Sequence, residues 1–159
     1  MQDIVLGLGS NRSYEGKSPK ELLAQACAEL SSRIQNMKLS SVYKTKAMYY
    51  TDQDDFYNMV VAGQFEGSAY ELLDFIHSIE NKYGRDRSKE IRNGPRPLDI
   101  DIELFGNQVI REKDLVVPHE RLEERAFVLV PLVEILPAYA EKYKDALKKV
   151  SSQNIELVG

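Results

Sequence analysis

A single cysteine, Cys27, leaves no partner for an intrachain disulfide, and a reducing cytoplasm is the compartment that fits. No apolar run approaches the ~20 residues that a bilayer-crossing helix needs. The opening MQDIVLGLGS has neither the charged region nor the cleavage site of a secretion signal, so no membrane role is expected. Internal repeats, linkers and low-complexity tracts are absent as well. There is no basic excess: 21 Lys and Arg stand against 25 Asp and Glu, net −4, which argues against a nucleic-acid partner. What remains is 159 residues, 43% hydrophobic and 29% charged, an ordinary soluble composition. That length predicts one domain, 1–159, burying about 68–70% of the unfolded surface.

Residues 92–105, RNGPRPLDIDIELF, carry the most information. Side chains alternate along a strand, so Asp99, Asp101 and Glu103 leave one face and Leu98, Ile100, Ile102 and Leu104 the other. Adjacent carboxylates repel unless a cation lies between them. Immediately upstream, Lys82, Arg85, Arg87, Lys89, Arg92 and Arg96 face only Asp86 and Glu90. Carboxylates for a metal beside guanidinium forks for phosphate suit Mg²⁺ with a polyphosphate. A solvated sheet face beside a surface loop shows the same alternation. The prolines of Gly94-Pro95-Arg96-Pro97 favour the first reading, because they fix φ and hold Arg96 near Asp99.

The remaining elements follow from period and caps. Residues 3–9 read as a strand. Ser18-Pro19-Lys20-Glu21 is a capping box that opens a helix with Leu23, Ala26, Cys27, Leu30 and Ile34 on its apolar stripe. Cys27 is therefore expected as a core thiol. Residues 38–44 and 57–65 read as strands. Ser68 to Glu71 opens a second helix bearing Leu72, Ile76, Ile79 and Tyr83, closed by Gly84. A strand at 98–105 and a short one at 108–110 follow. This order predicts an α+β fold: a ferredoxin-like β-α-β-β-α-β antiparallel sheet with helices on one face. Residues 115–137 are an apolar C-terminal appendage, and the lysine-rich tail is a candidate last helix.

GLGSNRSYEGKS sits where phosphate-binding loops occur but fits neither glycine motif. Arg12 occupies the third glycine position of G-x-G-x-x-G, and Gly9 and Gly16 enclose six residues where a Walker loop needs four. A tight turn at Gly9-Ser10-Asn11 is the expectation. Arg85 and Arg87 follow a helix C-terminus, where they equally complement its dipole. Glu80 lies near an apolar stripe and needs a partner or a ligand. Phe56 beside Asn58 suits a flat heterocycle, and so does Phe127, yet each also fits a core position. His119 is open to a ligand contact or a packing role.

Together LGLGSN, SSVYKTKAM, DDFYNMVV, IENKYGRDR, GPRPLDIDIELFGN and VPHERLEERAFVLVPLVEI resemble the 6-hydroxymethyl-7,8-dihydropterin pyrophosphokinase family over nearly the whole chain. The block GPRPLDIDIELFG followed by VPH is the specific part. The resemblance implies transfer of the β,γ-diphosphate of ATP to the pterin's hydroxymethyl oxygen with release of AMP, in folate biosynthesis; a cytoplasmic monomer is the expectation. It implies that Asp99 and Asp101 bind two Mg²⁺ ions and that Arg85 and Arg96 contact the phosphates in catalysis. Glu80, Arg87, His119 and Arg125 are implied on the ATP side. Thr45, Met48, Asn58 and the two aromatics Phe56 and Phe127 are implied around the pterin. Lys46, His77, Asn93 and Glu120 depart from the family's usual residues. The length also suggests a monofunctional chain. The alternative from another class is a non-enzymatic ferredoxin-like module that binds a small ligand.

Overall fold

The computed structural model describes residues 1–46, 55–85 and 96–159. Met48, Arg87 and Asn93, singled out from the sequence, lie outside the described residues. Among the described residues eight strands and five α-helices follow in the order β1 Gln2–Ser10, α1 Pro19–Leu30, β2 Ile34–Leu39, β3 Tyr43–Thr45, β4 Phe56–Phe65 and α2 Ala69–Lys82. Then come β5 Asp99–Phe105, β6 Ile110–Arg111, β7 Val116–Val117, α3 Ala126–Ile135, α4 Tyr139–Lys142, α5 Lys144–Lys149 and β8 Ile155–Leu157.

One antiparallel sheet runs β5-β1-β4-β3-β8, and β2 also pairs β4. It is a mixed α/β arrangement with more strands than the sequence pattern predicts. The expected strand at 38–44 is two strands, β2 and β3, each pairing a different part of β4. The chain's last strand, β8, adds to β3 as Tyr43 opposite Leu157 and Thr45 opposite Ile155. β6 and β7 form a separate small ribbon.

Both long helices start as their caps dictate. Ser18 and Ser68 each accept from the backbone N–H three residues on, and Glu21 and Glu71 reach back to complete the box. α1 ends at Leu30, so Ile34 begins β2 and does not continue the helical stripe. α1 and α2 bury Leu22, Leu30, Leu72 and Ile76 against Ile4, Leu6, Leu8, Val61, Ile100 and Ile102 on one sheet face.

The other face is also covered. Val5, Val60, Ala62 and Leu104 pack against Leu122, Val128, Leu129 and Leu132, so within the expected appendage 115–137 the part from Leu122 onward forms a second layer, while Leu115 and Val117 join the core of the first face. Leu104 was expected beside Ile102. A bulge changes that: Leu6 pairs Ile102 but Val5 pairs Leu104, so Glu103 is the extra residue and Leu104 turns to the second face. Cys27 is buried, as its stripe position predicts, and burial pushes its thiol up to about 11. Among the described residues no helix is long and apolar enough to cross a membrane.

Replacing Ser68 by Ala removes a helix-end acceptor while leaving α2's packing face intact. The expected loss is about 1 kcal/mol in urea unfolding. An unchanged midpoint would mean that packing alone sets where α2 begins.

Candidate active site

β5 presents Asp99 and Asp101 from the sheet face covered by α3, opposite Gly9 and Gly7 of β1. Two glycines across from two carboxylates leave that stretch of sheet bare of side chains. A Cβ on Gly9 would come within 3.0 Å of Asn58 Oδ1, and one on Gly7 within 2.6 Å of Glu103 Oε1. The sheet surface here is a floor, open where other strands would carry methyl groups.

Arginines surround the carboxylates. Arg85 Nη1 donates to Asp99 Oδ1 at 2.6 Å, and Arg96 Nη1 lies 3.4 Å from Asp99 Oδ2. Arg85 is fixed from behind by Glu80 at 2.5 Å, and the same Glu80 oxygen accepts from the Ile100 N–H at 2.8 Å. Glu80 is fully buried, so it stands behind the cleft as the anchor of Arg85 and does not line the cleft wall. Asn11 anchors Arg96: its Oδ1 accepts from the Arg96 N–H at 2.8 Å, and its own N–H donates to the Arg96 carbonyl at 3.1 Å. The strand therefore continues through Ser10, and Asn11 clamps the incoming loop where a tight turn was expected.

On the far side, Arg125 Nη1 and His119 Nε2 lie 3.9 and 3.8 Å from Asp101 Oδ2. His119 is held by its backbone N–H on the Glu103 carbonyl, while its Nδ1 accepts from the Arg121 N–H. An accepting Nδ1 puts the ring proton on Nε2, facing Asp101. Burial, reinforced by Arg125, lowers the His119 pKa to about 4.

The carboxylates diverge in the same field. Burial alone would raise Asp99, but Arg85 and Arg96 outweigh it and hold it below the usual range. Asp101 is pushed up to about 7 by burial and then by the Asp99 charge, against Arg125. Its side chain keeps 33% exposure to the cleft, so water there tempers the effect. Glu103 is buried at 1% exposure and held well above the ordinary range, by burial first and the Asp101 charge second.

Two clefts meet at this pair. One is bordered by Thr45, Phe56, Asn58, Phe127 and Arg125. The other is bordered by His77, Arg85, Lys113, His119 and Glu120. Asp99, Asp101 and Arg96 border both. In the first cleft Asn58 Nδ2 donates to Thr45 Oγ1 at 3.1 Å, and the Arg125 guanidinium lies 5.3 Å from the Phe127 ring centre. Its two walls are tied together from outside. Glu134 of α3 accepts from the Ser41 N–H at 2.9 Å, the Ser41 hydroxyl at 2.8 Å and the Tyr43 hydroxyl at 2.6 Å, just before β3 and within it.

The structure thus gathers Thr45, Phe56, Asn58, Arg85, Arg96, Asp99, Asp101, His119, Arg125 and Phe127 around one junction, with Glu80 behind it. Asn11 and Glu103 belong to the site and were missed. Asn11 had a signal, a polar residue directly after an apolar strand. Glu103 had only its place in the acidic alternation.

Two outcomes check this electrostatic arrangement. Glu80→Ala removes the buried carboxylate behind Arg85, leaving it Asp99, and strands the Ile100 N–H, and should cost about 3–5 kcal/mol in denaturant unfolding. A loss below about 1 kcal/mol would show that Arg85 does not depend on it. By NMR, the His119 ring should remain neutral to a midpoint of about 4, against the ordinary 6.5. Between those values the unfolded chain binds more protons at this site, so its contribution to stability falls as pH drops from 6.5 to 4. A midpoint near 6.5 would refute the burial.

Comparison with known proteins gives a consistent result. A family model described as 7,8-dihydro-6-hydroxymethylpterin-pyrophosphokinase matches residues 5–137. A protein of Aquifex aeolicus named 2-amino-4-hydroxy-6-hydroxymethyldihydropteridine pyrophosphokinase is 37% identical over 155 residues, covering 97% of this chain and 93% of that one. An Arabidopsis thaliana folate synthesis bifunctional protein is 37% identical over 135 residues, 85% of this chain. The chain spans only 27% of that protein's length, and 45% and 58% of two other curated relatives. A crystal structure of a Plasmodium falciparum HPPK-DHPS superposes with a TM-score of 0.70 at 15% identity, covering 95% of this chain and 45% of that one. That likeness is one of fold.

Proposed function

The chain belongs to the 7,8-dihydro-6-hydroxymethylpterin-pyrophosphokinase family, and from that premise we propose that it transfers the β,γ-diphosphate of ATP to 6-hydroxymethyl-7,8-dihydropterin. The hydroxymethyl oxygen bonds to the β-phosphorus and releases its proton to solvent, the bond from that phosphorus to the α,β-bridging oxygen breaks, and AMP leaves. The observation that carries the reading is the junction of two clefts at Asp99, Asp101 and Arg96. A two-substrate reaction needs such a junction. A module that only binds one small ligand does not.

The first cleft takes the pterin. Phe56 and Phe127 offer aromatic faces to the flat bicycle, and Asn58, oriented by Thr45, reads its polar edge. Stacking fixes the ring plane, so the exocyclic alcohol is aimed at the shared carboxylates. The second cleft takes ATP. Arg85 and Arg96 neutralise phosphate charge that grows as the bridging bond breaks, and each is pre-positioned, by Glu80 and Asn11 respectively. Arg125 and the neutral His119 Nε2–H complete the donors around Asp101.

Asp99 and Asp101 fit a pair of Mg²⁺ ions. They are hard oxygen donors on one sheet face, partly open to both clefts, with Asp101 under strain from its neighbour's charge. Asp99 and Asp101 are the residues that would hold the ions. Bound Mg²⁺ supplies charge neutralisation and alignment of the phosphates. Residues 1–159 are proposed to work as one domain, and the sheet order β5-β1-β4-β2 supports its reading as ferredoxin-like.

Incubated with ATP, Mg²⁺ and the dihydropterin, the protein should form AMP in step with pterin diphosphate. ADP in its place would mean transfer of a different phosphorus. Asp99→Ala and Asp101→Ala should each lower turnover by about 10²–10³-fold or more while the fold is kept. Folded variants with undiminished turnover would refute the assignment.

A further inference from the structure

Glu103 is a buried acid that the reaction scheme does not use. Its side chain is almost fully sequestered, and neither carboxyl oxygen has a hydrogen-bond partner among the described residues. A buried carboxyl group with no hydrogen-bond partner is costly to the fold. It persists when something outside the protein's own hydrogen bonds completes it.

Two features of the backbone put it there. Strand alternation already sets Glu103 on the α3 side of the sheet with Asp99 and Asp101, and the bulge after it brings Leu104 to that same side. Gly7 then makes room, since any Cβ at that position would collide with Oε1 at 2.6 Å. Glu103 thereby borders the aromatic cleft, together with Gly7, Phe127 and Val128, with both of its carboxyl oxygens buried. Phe56, Phe127 and Val128 can offer the ligand dispersion and stacking but no hydrogen bond. On this stretch of floor Glu103 is the polar side chain next to the bare backbone of Gly7.

We propose that Glu103 is a specificity-determining binding residue of this chain, whose carboxyl oxygen accepts a hydrogen bond from an N–H of the heterocycle seated in the aromatic cleft. The inference rests on the pterin reading above and deepens it. A dihydropterin carries ring N–H groups and an exocyclic amine, so it has donors to offer an acceptor at the floor. The carbonyl oxygen of the carboxyl group accepts in either protonation state. Selectivity follows from the unmade bond: a ring with a bare acceptor or a C–H at that edge leaves Glu103 buried and unsatisfied, whereas a donor completes it.

The test is equilibrium binding of 6-hydroxymethyl-7,8-dihydropterin, and separately of a non-hydrolysable ATP analogue, to the full chain by calorimetry. Glu103→Met matches the length and removes the acceptors. It should weaken pterin binding about 10- to 100-fold, the scale of one or two buried hydrogen bonds. The analogue's Kd should stay within about twofold, and Tm should hold or rise because an unsatisfied polar group is gone. Glu103→Gln keeps an acceptor oxygen and should retain pterin affinity within about threefold. If Glu103→Met does not fold, Glu103→Leu removes the same acceptors without adding a group to the cleft floor and should give the same selective loss. Pterin affinity unchanged in folded Glu103→Met, with only Tm moving, overturns the proposal and makes Glu103 a structural acid. Failure of the unmodified protein to bind the pterin removes the underlying reading instead, so the two failures are told apart.

Discussion

Asp99 and Asp101 extend from the same side of one strand, with Glu103 next along it, and the mutual repulsion of these acids governs how the surrounding chain is built. Arg85 and Arg96 lower the Asp99 carboxyl and Arg125 opposes the rise at Asp101, yet none of these cations hangs free from the surface. Glu80 holds the first and Asn11 the second, while Arg125 heads the helix that roofs the second sheet face. The layers that cover the sheet and the groups that balance its charge are the same pieces of chain. The outcome is an uneven pair of carboxylates, one firmly ionised and one poised, at the meeting of two clefts.

Much of this was legible from local pattern. The capping boxes at Ser18 and Ser68 located two helix starts to the residue, because capping depends on four consecutive positions. The period-two run at 98–105 put Asp99 and Asp101 on one face, since alternation is a property of the strand itself. What failed depended on distant partners. The bulge that moves Leu104 to the second face is set by the register against β1, and nothing in IELF announces it. The division of 34–45 into two strands answers to β4, and β8 exists only because the β3 edge is available.

Glu80 shows a subtler limit. Its helical spacing near an apolar stripe correctly signalled that the carboxylate needs a partner, but spacing cannot tell a ligand from an arginine five residues later. Asn11 was read as a turn residue because asparagine after a glycine-rich strand usually is one. Its clamp on Arg96 spans 85 positions of sequence. Residue type predicted the need in each case, and tertiary contact decided who met it.

The Glu134 strap has a mechanical corollary. By joining α3, which carries Phe127, to the strand that ends at Thr45, it ties opposite sides of the aromatic slot to a single carboxylate outside it. The jaws of that slot are thus set before any guest arrives, like a caliper locked at one gauge. Releasing that one carboxylate would therefore loosen the helix side and the strand side of the slot together.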